Sequence, residues 1–203
     1  MSQQAQNDFY PDDESLAMAY ADVCNAEIQD LFDAGADIVQ VDEPYMESRP
    51  DAARAYGLEA LNRALDDVKG TTAVHICFGY AAIIHNRPAA YSFLAELGDC
   101  ACKQISIETA QSNLDLGVLA DLTGKTIILG VIDLSATEIE TAELVAERVR
   151  RALPSVEADH LVIAPDCGMK YLSHHSAQGK MRAMSAAAGL LRAEMARLAN
   201  PAG

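Results

Sequence analysis

Five short apolar runs recur along the chain, at residues 38–41, 73–77, 104–107, 126–131 and 161–164, separated by longer stretches whose apolar residues return at helical spacing. This alternation constrains the fold more than any other feature. Runs that are apolar almost throughout belong to strands covered on both faces, and strands alternating with helices give a parallel sheet. Two architectures accommodate five such units: an open doubly wound sheet, or part of a (β/α)8 barrel. In both, chemistry collects at the C-terminal ends of the strands.

The stretches between the runs carry helix signals. Over residues 13–34 the apolar positions Leu16, Tyr20, Val23, Ala26, Ile28, Leu31 and Phe32 repeat near the helical period, and Gly35 stands where a left-handed cap belongs. Pro50 opens a second expected helix that closes at Gly70. Further helices are expected over residues 89–97, 114–121 and 142–153, the last behind Thr137-Glu138-Ile139-Glu140, which has capping-box spacing. In the closing helix Met181, Met184, Ala188, Leu191, Met195 and Leu198 form a stripe, read as core filling. Residues 1–12 read as a disordered or tag-like start, and 13–203 as one domain.

The strand ends hold the polar residues. They are Asp42 with Glu43, His75 with Cys77, Glu108, Asp133, and Asp166 with Cys167. His75 and Cys77 are two residues apart, the side-chain period of a strand, so they share a face. Together His75, Cys77, Glu108 and Cys167 offer one nitrogen, two sulfurs and one oxygen, a set that suits tetrahedral Zn2+; the thiolates argue against magnesium or calcium. Five cysteines, an odd number at irregular spacing, speak against a disulfide framework. Cys100 and Cys102 are close in sequence but match no ligand position, and Tyr45, Tyr80 and Tyr171 follow strand-end motifs where they could line a pocket.

Charge narrows the partners. With 30 acidic against 15 basic residues the formal net charge is -15 and no basic patch forms, so a polyanion such as nucleic acid is repelled. No run approaches the roughly 18 apolar residues of a membrane span, and residues 1–7 lack the basic-plus-apolar pattern of a signal peptide. The expected location is the cytoplasm, without a membrane partner.

Five strings then carry a resemblance: Val39-Gln40-Val41-Asp42-Glu43-Pro44, His75-Ile76-Cys77, Ile105-Ser106-Ile107-Glu108, Gly130-Val131-Ile132-Asp133 and Pro165-Asp166-Cys167-Gly168-Met169-Lys170. In order and spacing, from about residue 19 to 170, they resemble the catalytic C-terminal domain of cobalamin-independent methionine synthase. The resemblance implies a (β/α)8 barrel, of which this chain would hold five parallel βα units with the first three absent. It also implies zinc on His75, Cys77, Glu108 and Cys167, activating homocysteine for methylation. Asp42 matches the carboxylate that holds the amino group, Ser106 falls near the amino-acid carboxylate with Glu108 beside it, and Asp133 takes a catalytic position.

Two departures shape the expectation. The family's strand-end Asp is followed by a histidine that serves folate, whereas here the run is Asp133-Leu134-Ser135. That argues for a methyl donor other than folate, a corrinoid or a simple methyl compound. A barrel without three strands has open edges, so a homo-oligomer or a complementing subunit is expected. The alternatives are a non-catalytic zinc-binding or partner subunit of a split barrel, and a coenzyme M-type thiol alkyltransferase.

Overall fold

A computed structural model describes residues 4–78, 91–111 and 114–199. Its five strands are β1 (Ile38–Glu43), β2 (Thr71–Ile76), β3 (Gln104–Glu108), β4 (Thr126–Ile132) and β5 (Leu161–Pro165), joined in one parallel sheet in the order β1-β2-β3-β4-β5. Helical segments alternate with them, as the apolar runs predict. The chain divides into two compact units, and the division falls inside β3, after Ser106.

The first unit comprises Met1–Phe78, Tyr91–Ser106 and Asp121–Thr126. Helix α1 (Asp13–Asp33) starts at Asp12, whose carboxylate accepts the Ser15 N–H at 2.7 Å, with Asp13 and Glu14 at the positive end of the helix dipole. It ends where expected, at Gly35 with φ +98°. The Asn25 amide of α1 donates to the carbonyls of Ala64 (3.1 Å) and Asp66 (2.8 Å), which ties α1 to the C-terminal end of the helical segment that follows β1. In the parallel pair β1/β2, Asp42 lies opposite His75.

The segment after Pro50 departs from the expected single helix. It is α2 (Pro50–Ala52), a π-helical turn (Ala53–Gly57) and α3 (Leu58–Ala64). The helix therefore stops before Gly70, and the left-handed residue beyond it is Asp67, with φ 52°. Gly70 answers to packing instead: a Cβ there would lie inside the Phe32 ring. The helix expected over 89–97 is also corrected. Residues 89–90 lie outside the described residues, 91–94 are not helical, and a 3₁₀ turn occupies Ala95–Asp99. The cause is the Glu47 carboxylate, which accepts the N–H groups of Ser92 (2.8 Å) and Phe93 (3.0 Å) and so fixes them outside a helix.

The second unit comprises Gly79–Ala90, Ile107–Ala120 and Ile127–Gly203, of which 79–90, 112–113 and 200–203 lie outside the described residues. Tyr80 is among these. Residues expected as a helix over 114–121 form a 3₁₀ turn at Leu116–Asp121. Helix α4 (Ala142–Arg150) is capped by Thr141, whose hydroxyl accepts the Leu144 N–H at 3.2 Å, rather than by the Thr137 box. Glu140 is thereby released for another task. Helix α5 (His174–Ala199) packs on α4 through Arg150, which holds Glu194 at 2.6 Å. Its buried residues are Ser176, Lys180, Ala187 and Leu191, so the expected stripe fills the core only in part: Leu191 is buried and Met184, Ala188 and Met195 are half-buried, but Met181 is 43% and Leu198 81% exposed.

Candidate metal centre and the strand-end carboxylates

His75 is the next-to-last residue of β2 and is buried. Its Nδ1 lies 2.8 Å from the Ser106 hydroxyl, and a bond at one ring nitrogen sets the ring's orientation and directs the other nitrogen, Nε2, toward a ligand role. Cys77 follows immediately after β2, its N–H donating to the Glu43 carbonyl at 3.1 Å, and is buried. Glu108 closes β3 with 1% exposure, and half-buried Cys167 stands two residues beyond β5.

One ligand atom from each of His75, Cys77, Glu108 and Cys167 can be chosen so that all lie within 4.8 Å of one another. A tetrahedral ion with bonds of about 2.0–2.3 Å needs ligand atoms about 3.3–3.8 Å apart. The donor set and spacing fit a metal of that kind with a small contraction.

Asp166, beside Cys167, is fully buried and accepts three backbone N–H groups. These come from Thr109 (3.2 Å) and Ala110 (3.0 Å) on Oδ1 and from Gln111 (3.0 Å) on Oδ2. Burial pushes its carboxyl up to about 7, the charge of Glu108 adds to the rise, and the three N–H groups hold it back. Gly130 makes room for it. A Cβ there would meet the Asp166 carboxylate and come within 2.7 Å of the Ile107 carbonyl, so β4 must carry glycine at this point.

Asp42 ends up on the wall of a cavity of about 190 Å³ that Tyr20, Tyr45, Met46, Arg49 and Tyr56 also line. Its neighbour Glu43 accepts the N–H groups of Tyr45 (2.8 Å) and Met46 (2.6 Å), and burial raises its pKa despite them. Asp133 follows β4, its Oδ1 accepting the N–H (2.7 Å) and hydroxyl (2.6 Å) of Ser135. Both backbone groups of Asp133 are held by one ion pair: its N–H donates to Glu140 Oε1 at 2.8 Å, and its carbonyl accepts from Lys180 Nζ at 2.9 Å. Lys180 in turn meets Glu140 Oε2 at 2.8 Å, and Arg148 reaches both Glu140 and the Val131 carbonyl.

The Lys180–Glu140 pair escapes a reading by motif. Lys180 was recoverable only as a position on one helical face with Ser176, Ala187 and Leu191, and Glu140 was hidden by its capping-box spacing. Cys100 and Cys102 stand apart from the metal-capable group. Both are buried, and the hydrogen bond between their thiols pulls Cys100 down to about 7 and pushes Cys102 up.

Comparison with known proteins resolves the lineage. Residues 5–190 match the model of the cobalamin-independent synthase, catalytic domain. The chain belongs to this family. Among curated relatives it is similar to methionine synthases from Pyrococcus abyssi, at 32% identity over 93% of the chain and 53% of the relative, and from Thermococcus kodakarensis, at 33% over 94% and 54%. The chain thus spans about half the length of the curated relatives it matches. Among solved structures, a B12-independent methionine synthase from Shewanella sp. W3-18-1 in complex with selenomethionine superposes with a TM-score of 0.87 and 36% identity, over 93% of this chain and 58% of that one. A putative vitamin-B12-independent methionine synthase from Listeria monocytogenes shares the fold at a TM-score of 0.67 and 20% identity. No helix among the described residues is long and apolar enough to cross a membrane.

Proposed function

We propose that this chain contributes the metal-binding strand ends of a zinc-dependent methyltransferase that methylates a small thiol, homocysteine in the first instance. The observation that carries the reading is the grouping of His75, Cys77, Glu108 and Cys167 within 4.8 Å. Kinship to methionine synthases supports the thiol and the transferred group. His75, Cys77, Glu108 and Cys167 would hold the zinc, which when bound lowers a substrate thiol's pKa and presents a thiolate at neutral pH.

The protein's own residues do the rest. Ser106 fixes the imidazole of His75 through their 2.8 Å contact, and Asp166 ties the backbone of residues 109–111 to the stretch that carries Cys167. Asp42 supplies a carboxylate for the substrate amino group, and Asp133 a second on the donor side. In the transfer the sulfur–methyl bond forms as the methyl–donor bond breaks, and the thiol proton balances the departing donor. Asp133-Leu134-Ser135 offers no imidazole beside the aspartate, which favours a corrinoid or simple methyl donor.

Strands β1 and β5 each pair on one side only among the described residues, so a second copy or a complementing chain is proposed to cover them. Five free cysteines fit a reducing cytoplasm. Zinc per chain, by elemental analysis of the wild-type protein and of Cys167→Ala, tests the centre. About one zinc in the first and a clear loss in the second is expected. Folded wild-type protein that takes up no zinc, alone or with its partner copy, would sink the proposal.

A further inference from the structure

Cys100 and Cys102 stand at the opposite end of β3 from Glu108, with Ala101 between them. Both are buried, at 2% and 1% exposure, but Asp99, Ala101 and Lys103 are exposed, so the two thiols lie just beneath the surface. The backbone around them is pinned. The Cys100 N–H donates to the Leu97 carbonyl (3.1 Å), the Ala101 N–H to Asn62 Oδ1 (2.7 Å) and the Lys103 N–H to the Thr72 carbonyl (3.0 Å). The Lys125 ammonium donates to the carbonyls of both cysteines.

Neither cysteine is in a disulfide, and their thiols hydrogen bond to each other. That contact pulls Cys100 down to about 7 against its burial, the charge of Lys125 adds to the fall, and Cys102 is pushed up. Near neutral pH a large share of Cys100 is thus thiolate, with a thiol against it. Cα atoms two residues apart are at most about 7 Å from each other. The chain bends at Ala101, which brings this pair toward the separation of about 4.4–6.8 Å that a disulfide spans.

From this we infer that Cys100 and Cys102 are a peroxide-responsive dithiol, which a small hydroperoxide closes to an intramolecular disulfide. Cys100 attacks, because the thiolate is the nucleophile, and Cys102 resolves. The Cys100 sulfur bonds to one peroxide oxygen as the O–O bond breaks, leaving a sulfenic acid and a hydroxide that takes up the proton Cys100 gave to solvent. The Cys102 sulfur then bonds to that of Cys100, and the sulfenic hydroxyl leaves as water with the Cys102 proton. Two thiols and one hydrogen peroxide give one disulfide and two waters. Burial sets the class of oxidant: hydrogen peroxide is small enough to reach sulfurs beneath the surface layer, and a peptide disulfide is not. None of this draws on the proposed methyl transfer.

The test treats the reduced full chain with equimolar hydrogen peroxide at neutral pH, then unfolds, alkylates and cleaves it before Asp99, which separates Cys100 and Cys102 from Cys77. The Cys100–Cys102 disulfide is expected to form about tenfold faster than in the same chain unfolded in urea. Glutathione disulfide should leave the folded pair reduced. In Cys102→Ser the reaction should stop at a sulfenic acid on Cys100, trapped with dimedone after unfolding; should this variant not fold, the wild-type rates alone decide. A pair that oxidises no faster folded than unfolded overturns the inference. So does a disulfide that joins either cysteine to Cys77 or Cys167 instead. Oxidation by glutathione disulfide as fast as by peroxide overturns the assignment to a small hydroperoxide.

Discussion

Asp166, fully buried, and Glu140, half-buried with its side chain 6% exposed, are carboxyl groups of the second unit. Each holds a strand-end segment through backbone N–H, three on Asp166 and one on Glu140, yet their surroundings differ in kind. Asp166 is met by three peptide N–H groups and no cation in any bond described, and burial pushes it up to about 7. Glu140 is pushed up by burial too, but hydrogen bonds from Lys180, the Asp133 N–H and Arg148 outweigh it and hold the group below its ordinary value. Peptide dipoles suffice to seat a carboxyl group. In this protein it is the carboxyl group that also meets full positive charges, Glu140, whose bonds outweigh burial and keep it ionised.

The sharpest way to break the contrast is to neutralise each group in turn. Glu140→Gln strands the ammonium of Lys180, which has no exposed surface, and should destabilise the protein by about 3–5 kcal/mol in denaturant melts. Acid titration sharpens the same point. Because the folded pKa of Glu140 is depressed, its contribution is in place above the ordinary glutamate value of about 4.5 and is lost as pH falls through the lower folded value. Wild-type stability should therefore fall on acidification in that range more steeply than that of Glu140→Gln. Asp166→Asn should have the smallest effect, about 1–3 kcal/mol, since a carboxamide keeps two of the three N–H contacts and loses that of Gln111, while the native group, at about 7, is only partly ionised near neutral pH. An Asp166→Asn protein less stable than Glu140→Gln would mean that the ranking of the two surroundings is wrong.

The strands were legible because each is an apolar run of the right length between helical stretches, and α1 because its periodicity is long and its cap is glycine. Segments whose backbone bonds are taken up by distant side chains were not legible. Residues 91–94 have helical composition, but Glu47, more than forty residues earlier, claims their N–H groups. Thr137 and Glu140 have the spacing of a cap, but Thr141 takes the position and Glu140 turns to Lys180. At the site, residue type and strand period located the metal-capable side chains. Asp166 could be placed at a strand end, but its contacts with residues 109–111 exist only after β3 and β5 are laid down.

The amide hydrogen of Asp133 points at a side-chain carboxylate rather than at a neighbouring strand. Its exchange with deuterated solvent therefore follows the opening of the Lys180–Glu140 pair instead of the unzipping of the sheet. A single backbone position thus serves as a gauge of when the first turns of α5 lift away. Its exchange should quicken in Lys180→Met while the amides inside β4 stay protected.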